Sequence, residues 1–166
     1  QGIGSEFKFG ITLQVDNSKV ETKTEIKTDK KKKLHLLVAE DNLLNCHVIA
    51  AFLDRLGHTS KIANNGKIAL DVLSKEDFDA VLMDIEMPGD DGIVLTAKIK
   101  QLYPDTKILI QTVFDDSERI FNALCAGASG YILKNDTPTK LLGALSEAVN
   151  GGAPMSPSIA KKVIEF

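Results

Sequence analysis

The sequence is poor in the residues that mark disulfide scaffolds and zinc modules. Of its 166 residues, two are cysteine, five are proline and none is tryptophan. Cys46 and Cys125 lie far apart within apolar helical patterns, without the paired Cys or Cys/His spacing of a zinc site. We therefore expect two small buried side chains and no disulfide.

Long apolar runs are absent as well. No stretch approaches the ~20 apolar residues that a membrane-spanning helix needs. The first residues do not form a basic segment followed by an apolar core, which would mark a secretory signal. The sequence therefore predicts a cytoplasmic protein that makes no membrane contact.

Basic charge is not in excess, because 23 acidic residues oppose 20 lysines and arginines and leave a net charge of −3. Nucleic-acid binding usually requires a basic face, so we expect no direct nucleic-acid contact by this chain. Hydrophobic residues make up 43% of the sequence. At this length they are enough for one compact domain with short appendages.

The chain divides into three parts at two changes of pattern. Residues 1–33 combine an alternating strand pattern, from Phe7 to Val15, with a lysine-rich stretch typical of a solvated linker. Residues 34–150 carry the regular apolar patterning of a folded domain. Residues 151–166 predict a connecting helix, with Pro157 suited to its first turn.

Within residues 34–150, five apolar strand patterns alternate with five helical ones. The predicted strands are 34–39, 58–63, 80–84, 107–111 and 130–133, and the predicted helices are 43–56, 67–74, 92–102, 117–126 and 138–149. Such alternation with short connections predicts an α/β domain, with an open parallel sheet covered by helices on both faces.

Helical spacing also predicts which residues face the sheet. In the first helix, apolar residues recur at intervals of three and four, so we expect this face to be buried. The recurring residues are Leu44, Val48, Ala51 or Phe52, and Arg55 or Leu56.

Polar side chains follow four of the predicted strands. They are Glu40 and Asp41, Asp84, Thr112 and Lys134. Since the carboxyl ends of parallel strands meet at one edge, where ligands of such sheets bind, we expect these side chains to converge. Clustered carboxylates repel one another unless a cation lies among them, and hard oxygen ligands suit Mg²⁺. A lysine beside them suits a phosphoryl group, so the edge predicts a site for metal and phosphate together.

A simpler interpretation exists for part of this set. Glu40 and Asp41 could merely precede a helix as capping residues. Asp84 favours function more strongly, because it closes a fully apolar strand, where an uncompensated charge is costly.

Five ordered motifs in residues 34–150 resemble those of bacterial response-regulator receiver domains. They are Val38-Ala39-Glu40-Asp41-Asn42, Leu82-Met83-Asp84-Ile85-Glu86-Met87-Pro88, Asp91-Gly92, Ile110-Gln111-Thr112, and Ala126-Gly127-Ala128-Ser129-Gly130-Tyr131-Ile132-Leu133-Lys134. The resemblance implies a flavodoxin-like, doubly wound, three-layer αβα fold. Its five parallel strands would follow the order 2-1-3-4-5.

The same resemblance assigns roles to individual residues. Asp84 is the phosphoacceptor that attacks a phosphohistidine. Glu40 and Asp41 form the acid pocket, and Mg²⁺ is held by Asp41, Asp84 and the backbone carbonyl of Glu86. The side chains of Thr112 and Tyr131 form the switch pair, and that of Lys134 pairs with Asp84 and later with the phosphoryl group.

A receiver of this kind is a phosphorylation-dependent switch with self-catalysed phosphoryl transfer, rather than an enzyme. Its implied partners are a histidine kinase or phosphotransfer domain, and a second copy of the chain in a homodimer.

The two ends resemble different subfamilies. The segment Gly2 to Val15 resembles the last strand of a histidine-kinase ATP-binding domain, which would make the parent a hybrid kinase, although Gly4-Ser5-Glu6-Phe7 could also be a cloning remnant. The segment 151–162 resembles receivers of regulators that carry a LuxR-type helix-turn-helix. A natural mosaic and a joined chain both remain open.

Three alternatives differ in chemistry. A flavodoxin-like cofactor binder needs a phosphate loop after the first strand, where Glu40 and Asp41 have the wrong charge. A haloacid-dehalogenase-type phosphatase needs a second aspartate where Glu86 stands. A degenerate receiver that serves only as a protein-interaction module is the remaining alternative.

Overall fold

A computed structural model describes residues 32–87 and 89–165, within a compact unit formed by Lys32–Phe166. The predicted N-terminal strand and almost all of the lysine-rich linker lie outside the described residues. In chain order the elements are β1 (His35–Ala39), α1 (Leu43–Arg55), β2 (Thr59–Ala63), α2 (Gly66–Leu73), β3 (Ala80–Met83), β4 (Glu86–Met87), β5 (Asp90–Asp91), α3 (Gly92–Leu102), β6 (Ile108–Thr112), α4 (Ser117–Cys125), β7 (Gly130–Leu133), α5 (Pro138–Val149) and α6 (Pro157–Glu165).

Five parallel strands form the main sheet in the order β2-β1-β3-β6-β7. Since β6 and β7 are the fourth and fifth strands of this sheet, the predicted order 2-1-3-4-5 is confirmed. The central strands β1 and β3 are buried almost throughout, as their unbroken apolar runs require.

Alternating side chains of β1, β3, β6 and β7 pack into two apolar layers, one on each face of the sheet. On one face, Leu36, Val38 and Leu82 pack with residues of α1 and α5. On the other, Leu37 and Val81 pack with residues of α2, α3 and α4. The three-layer αβα architecture is therefore confirmed.

Helix α1 presents a different face to the sheet from the one that its spacing predicts. Its buried residues are Cys46, Ile49 and Leu53, whereas Leu44 is 72% exposed and Val48 is 61% exposed. The helix carries two apolar stripes, and periodicity alone does not say which one packs inward. The prediction for Leu44 and Val48 is wrong, and an apolar stripe is left on the surface.

The two cysteines differ in their surroundings. Cys46 is buried as predicted, and its thiol donates a hydrogen bond to the Glu40 carbonyl at 3.2 Å. Burial, followed by the charge of Glu40, raises the pKa of this thiol. Cys125 is exposed at the end of α4, so the prediction that it is buried is wrong. Neither cysteine forms a disulfide.

A two-stranded antiparallel hairpin, β4 with β5, lies between β3 and α3 and was not predicted. It leads into Gly92, where a Cβ atom would lie 2.0 Å from the Asp84 carbonyl oxygen. Only glycine allows the chain to pass so close to the end of β3.

The C-terminal helix α6 begins at Pro157, as predicted, and is part of the packed unit. Its Ile159 is fully buried in the same apolar layer as Ile120 of α4 and Tyr131 of β7. Just before it, Met155 forms a parallel bridge with Tyr131, and the Tyr131 N–H donates to the Pro154 carbonyl at 2.9 Å. This segment covers the edge strand β7, which would otherwise expose unpaired backbone groups.

In the part of the chain that the structure describes, none of the helices combines the length and apolar character needed to cross a bilayer.

Candidate functional site

Two buried carboxylates stand side by side where β1 and β3 end. Ala39 pairs with Met83 in the sheet, so the residues that follow, Glu40 and Asp84, become neighbours. Glu40 is 2% exposed and Asp84 is 7% exposed. With the partly exposed Asp41, they place one carboxylate oxygen each within 4.8 Å of one another. The three acids therefore lie close together, as the sequence predicts.

Lys134 reaches this cluster from the end of β7. Its ammonium nitrogen lies 2.7 Å from Asp84 Oδ2 and 2.7 Å from Glu40 Oε2, so one cation bridges both buried carboxylates. Burial alone lowers the pKa of Lys134, but hydrogen bonds from the ammonium to Asp84 and Glu40, together with their charges, outweigh burial and raise it. Lys134 is therefore firmly protonated.

Glu40 is held by Asn45, which none of the sequence motifs includes, and by Asn42, which closes the first motif without an assigned role. Asn45 Nδ2 donates to Glu40 Oε1 at 2.9 Å, and the Asn42 N–H donates to the same oxygen at 3.3 Å. Asn42 also caps α1, because its side chain accepts from the N–H groups of Leu44 and Asn45. The start of α1 thus fixes one wall of the acid cluster. The sequence signal for this contact is an asparagine two residues after the acid that follows β1.

The donor set fits a divalent cation. Three carboxylates face one ammonium, which leaves an excess of negative charge in a partly desolvated place. Oxygen ligands of this kind are those that Mg²⁺ prefers, and it commonly uses only one or two carboxylates together with water. The side chain of Glu86 points elsewhere, with Oε1 3.6 Å from Arg119 Nη1. The contribution of its backbone carbonyl to a metal site stays a prediction.

The family model described as response regulator receiver domain matches residues 36–146. The chain belongs to this family. The chain is also similar to full-length regulators: it is 40% identical over 87 residues to the oxygen regulatory protein NreC of Staphylococcus carnosus, a match covering 52% of this chain and 40% of that protein. It is 30% identical over 135 residues to the transcriptional regulatory protein DegU of Brevibacillus brevis, covering 80% of this chain and 57% of that one. The chain thus spans about half the length of these relatives, or less.

Solved receiver structures share the fold. A two-component response regulator of the LuxR family from Aurantimonas sp. SI85-9A1 superposes with a TM-score of 0.76 at 29% identity, covering 81% of this chain and 97% of that one. The chemotaxis protein CheY4 of Vibrio cholerae gives a TM-score of 0.67 at 24% identity, covering 70% of this chain and 99% of that one.

In this receiver domain, Thr112 ends β6 beside the acid cluster. It is fully buried, and its hydroxyl is without a hydrogen-bond partner among the described residues. A buried hydroxyl left unpaired costs roughly 1–3 kcal/mol, so such a group usually serves a ligand or a changing contact. The position of Thr112 at this site agrees with its predicted place at the end of a strand.

Tyr131, on the neighbouring strand β7, is also fully buried. Its hydroxyl donates to the Phe114 carbonyl at 2.9 Å, which ties β7 to the loop that follows Thr112. Burial first, and then the negative charge of Asp116, raise the pKa of Tyr131 well above its ordinary value. The phenol therefore stays neutral and remains a donor.

Two further residues at the site were missed from the sequence. Arg119 in α4 and Phe114 in the preceding loop both line the cavity that opens above the acid cluster. The Arg119 guanidinium carbon lies 3.7 Å from the centre of the Phe114 ring. No strand end or recurring motif marks these positions, because they meet only when α4 packs beside the sheet edge.

Proposed function

We propose that this receiver domain accepts a phosphoryl group on Asp84 from the phosphohistidine of a histidine kinase or phosphotransfer domain. The observation that carries the proposal is the placement of Asp84, a buried carboxylate paired with Lys134 at 2.7 Å inside a cluster of acids. Belonging to the receiver family supports it.

In the proposed reaction, an Asp84 carboxylate oxygen forms a bond to phosphorus while the phosphorus–nitrogen bond of the phosphohistidine breaks and the imidazole leaves. Catalysis consists mainly of positioning and charge neutralisation. Glu40 and the two asparagines fix the wall of the site, and Lys134 passes from the Asp84 carboxylate to a phosphoryl oxygen. The unpaired Thr112 hydroxyl is suited to donate a hydrogen bond to a second phosphoryl oxygen.

Asp41, Asp84 and the Glu86 carbonyl would hold Mg²⁺, with Glu40 completing the acid pocket. When bound, Mg²⁺ supplies positive charge to the oxygens of the group being transferred.

A conformational output would follow from the pair formed by Thr112 and Tyr131. The Tyr131 side chain is already buried in the core, and its hydroxyl donates a hydrogen bond to the Phe114 carbonyl. Movement of Thr112 towards the phosphoryl group would change the space beside Tyr131 and the loop that Tyr131 anchors. A phosphoryl group would then shift the balance between two packings of this face.

We further propose that the whole protein is a cytoplasmic response regulator, because the relatives described above are regulatory proteins and include one named as a transcriptional regulator. A DNA-binding output would then lie in another part of the protein, and nucleic-acid binding by residues 32–165 is not expected. A hybrid-kinase parent and a homodimer stay predictions. The resemblance of the first residues to a kinase strand falls outside the described residues.

The decisive experiment is incubation with acetyl phosphate and Mg²⁺, followed by intact mass measurement. We expect the mass of one phosphoryl group to be added to the wild type and to Asp54→Asn, which removes an exposed carboxylate from α1. Asp84→Asn should abolish the gain. Absence of any gain in the wild type, with acetyl phosphate or with phosphorylated kinases, would instead favour the protein-interaction module.

A further inference from the structure

Arg119 is the second cation of the cavity above Asp84. The cavity has a volume of about 820 Å³, and among the described residues that line it only Lys134 and Arg119 are cationic. Seven lining residues are acidic: the four described above, together with Asp91, Asp116 and Glu118. A phosphoryl donor is an anion, so it must enter a cavity whose lining is strongly negative.

The two cations differ in how closely they are paired with carboxylates. Lys134 lies 2.7 Å from each of two carboxylates. Arg119 Nη1 is buried without a hydrogen-bond partner among the described residues. Arg119 Nη1 lies 3.6 Å from Glu86 Oε1, and Arg119 Nε lies 3.6 Å from Asp116 Oδ2. Both distances exceed the 2.7–3.2 Å of ordinary N–H···O hydrogen bonds.

The guanidinium is nevertheless held in place. Its carbon atom lies 3.7 Å from the Phe114 ring centre, and the Phe114 carbonyl accepts the Tyr131 hydroxyl. The Arg119 backbone N–H donates to Asp116 Oδ1 at 2.9 Å in the capped first turn of α4. Stacking uses the face of a guanidinium and leaves its in-plane N–H groups unoccupied. Although Nη1 itself is buried, 39% of the Arg119 side chain is exposed, so an anion in the cavity can reach the guanidinium.

We propose that Arg119 is a positioning residue for the phosphoryl donor: it receives the anionic donor at the mouth of the cavity and directs it towards Asp84. This inference rests on the proposed phosphorylation of Asp84. Arginine suits the role because its N–H groups match two oxygens of a phosphoryl group at once. Glu86 and Asp116 lie close enough to orient the guanidinium without occupying it.

The test compares Arg119→Gln with Arg119→Lys and with Arg55→Gln. Arg55 is the only other arginine of the chain and is exposed at the end of α1, so it provides a matched control. The rate of phosphorylation is measured by intact mass with acetyl phosphate, which carries two negative charges, and with the less negative phosphoramidate, each over a range of salt concentrations.

We expect Arg119→Gln to slow the reaction with acetyl phosphate about tenfold and that with phosphoramidate less. The rate with acetyl phosphate should also rise more steeply with salt than in the wild type, because the loss of an attracting charge leaves the repulsion by the acidic lining less compensated. Arg119→Lys should retain part of the rate, and Arg55→Gln should match the wild type.

Two results would overturn the inference while leaving the proposed function intact: a wild-type rate for Arg119→Gln, or an equal loss with both donors together with a lowered melting temperature, which would indicate a structural role in α4. If the wild type itself takes no phosphoryl group from either small donor or from phosphorylated kinases, the proposed function fails first.

Discussion

At the scale of single residues, Lys134 compensates the negative charge of the site. Its ammonium is the partner of both buried carboxylates, Glu40 and Asp84. Removing one member of a buried ion pair costs more than the pair contributes, because the remaining charge loses its compensation. Since the Lys134 side chain is still 19% exposed, solvent reduces this cost.

We therefore predict that Lys134→Met lowers the free energy of unfolding by about 2 kcal/mol in the absence of divalent cations. Added Mg²⁺ should restore a larger part of the stability in this variant than in the wild type, since three carboxylates would then lack their ammonium. Urea unfolding, with and without Mg²⁺, measures both effects.

Lys75→Met is the control for this prediction, because Lys75 pairs with Asp71 at 2.6 Å on the surface, where more than half of each side chain is exposed. Its loss should change stability by less than about 0.5 kcal/mol. Equal effects of the two substitutions would contradict the compensating role of Lys134.

At the scale of elements, helix α6 is the helix whose packing in the core is least predictable from the sequence. Sequence patterning predicts a connecting helix, but the structure seats Ile159 in the core, and Lys162 of α6 pairs with Asp115 Oδ2 at 2.9 Å in the loop before α4. The helix therefore packs against the same loop and strand that Tyr131 joins.

We predict that Ile159→Ala lowers the free energy of unfolding by roughly 2–4 kcal/mol, because it removes a fully buried side chain. Ile164→Ala, in the same helix but at a side chain that is 85% exposed, should change it by less than about 0.5 kcal/mol. Denaturant unfolding of the two variants gives the comparison. Similar small effects would mean that α6 adds little to the stability of the domain.

Elements with a long hydrophobic pattern could be predicted from the sequence, and elements without such a pattern could not. The buried runs of β1 and β3 and the alternation with helices predict the parallel sheet, whereas the strand order was implied by the resemblance to receiver domains. The hairpin of β4 and β5 escaped because two-residue strands carry no period, and the inward face of α1 was misjudged because the helix has two apolar stripes.

The same division holds within the candidate site. Glu40, Asp84, Thr112 and Lys134 follow strands, so their convergence could be read from the sequence. Arg119 comes from a helix face whose position depends on packing, and no local pattern reports that. The unpaired Thr112 hydroxyl likewise exists only in the folded arrangement.

At the scale of the whole molecule, the surface beside the site has its own apolar stripe. Leu44 and Val48 of α1 are exposed, and between α1 and α5 lies a groove of about 300 Å³ that both residues help to line. Helix α1 begins next to the acid cluster, since Asn45 contacts Glu40. In the proposed phosphorylation, a protein that carries a phosphohistidine would approach the mouth of this site, and the stripe would offer it an apolar contact.

We predict that Leu44→Glu slows phosphoryl transfer from a phosphorylated histidine kinase at least about tenfold, because a charge replaces an apolar contact in the complex. Its rate with acetyl phosphate should stay at the wild-type level, since a small donor needs no docking surface. The measurement first screens purified kinases with the wild type to find a donor and then compares variants. Leu102→Glu, at the 62% exposed end of α3, is the matched control and should transfer normally. Equal slowing of both variants with the kinase, or slowing of Leu44→Glu with acetyl phosphate, would place the kinase contact elsewhere than on α1.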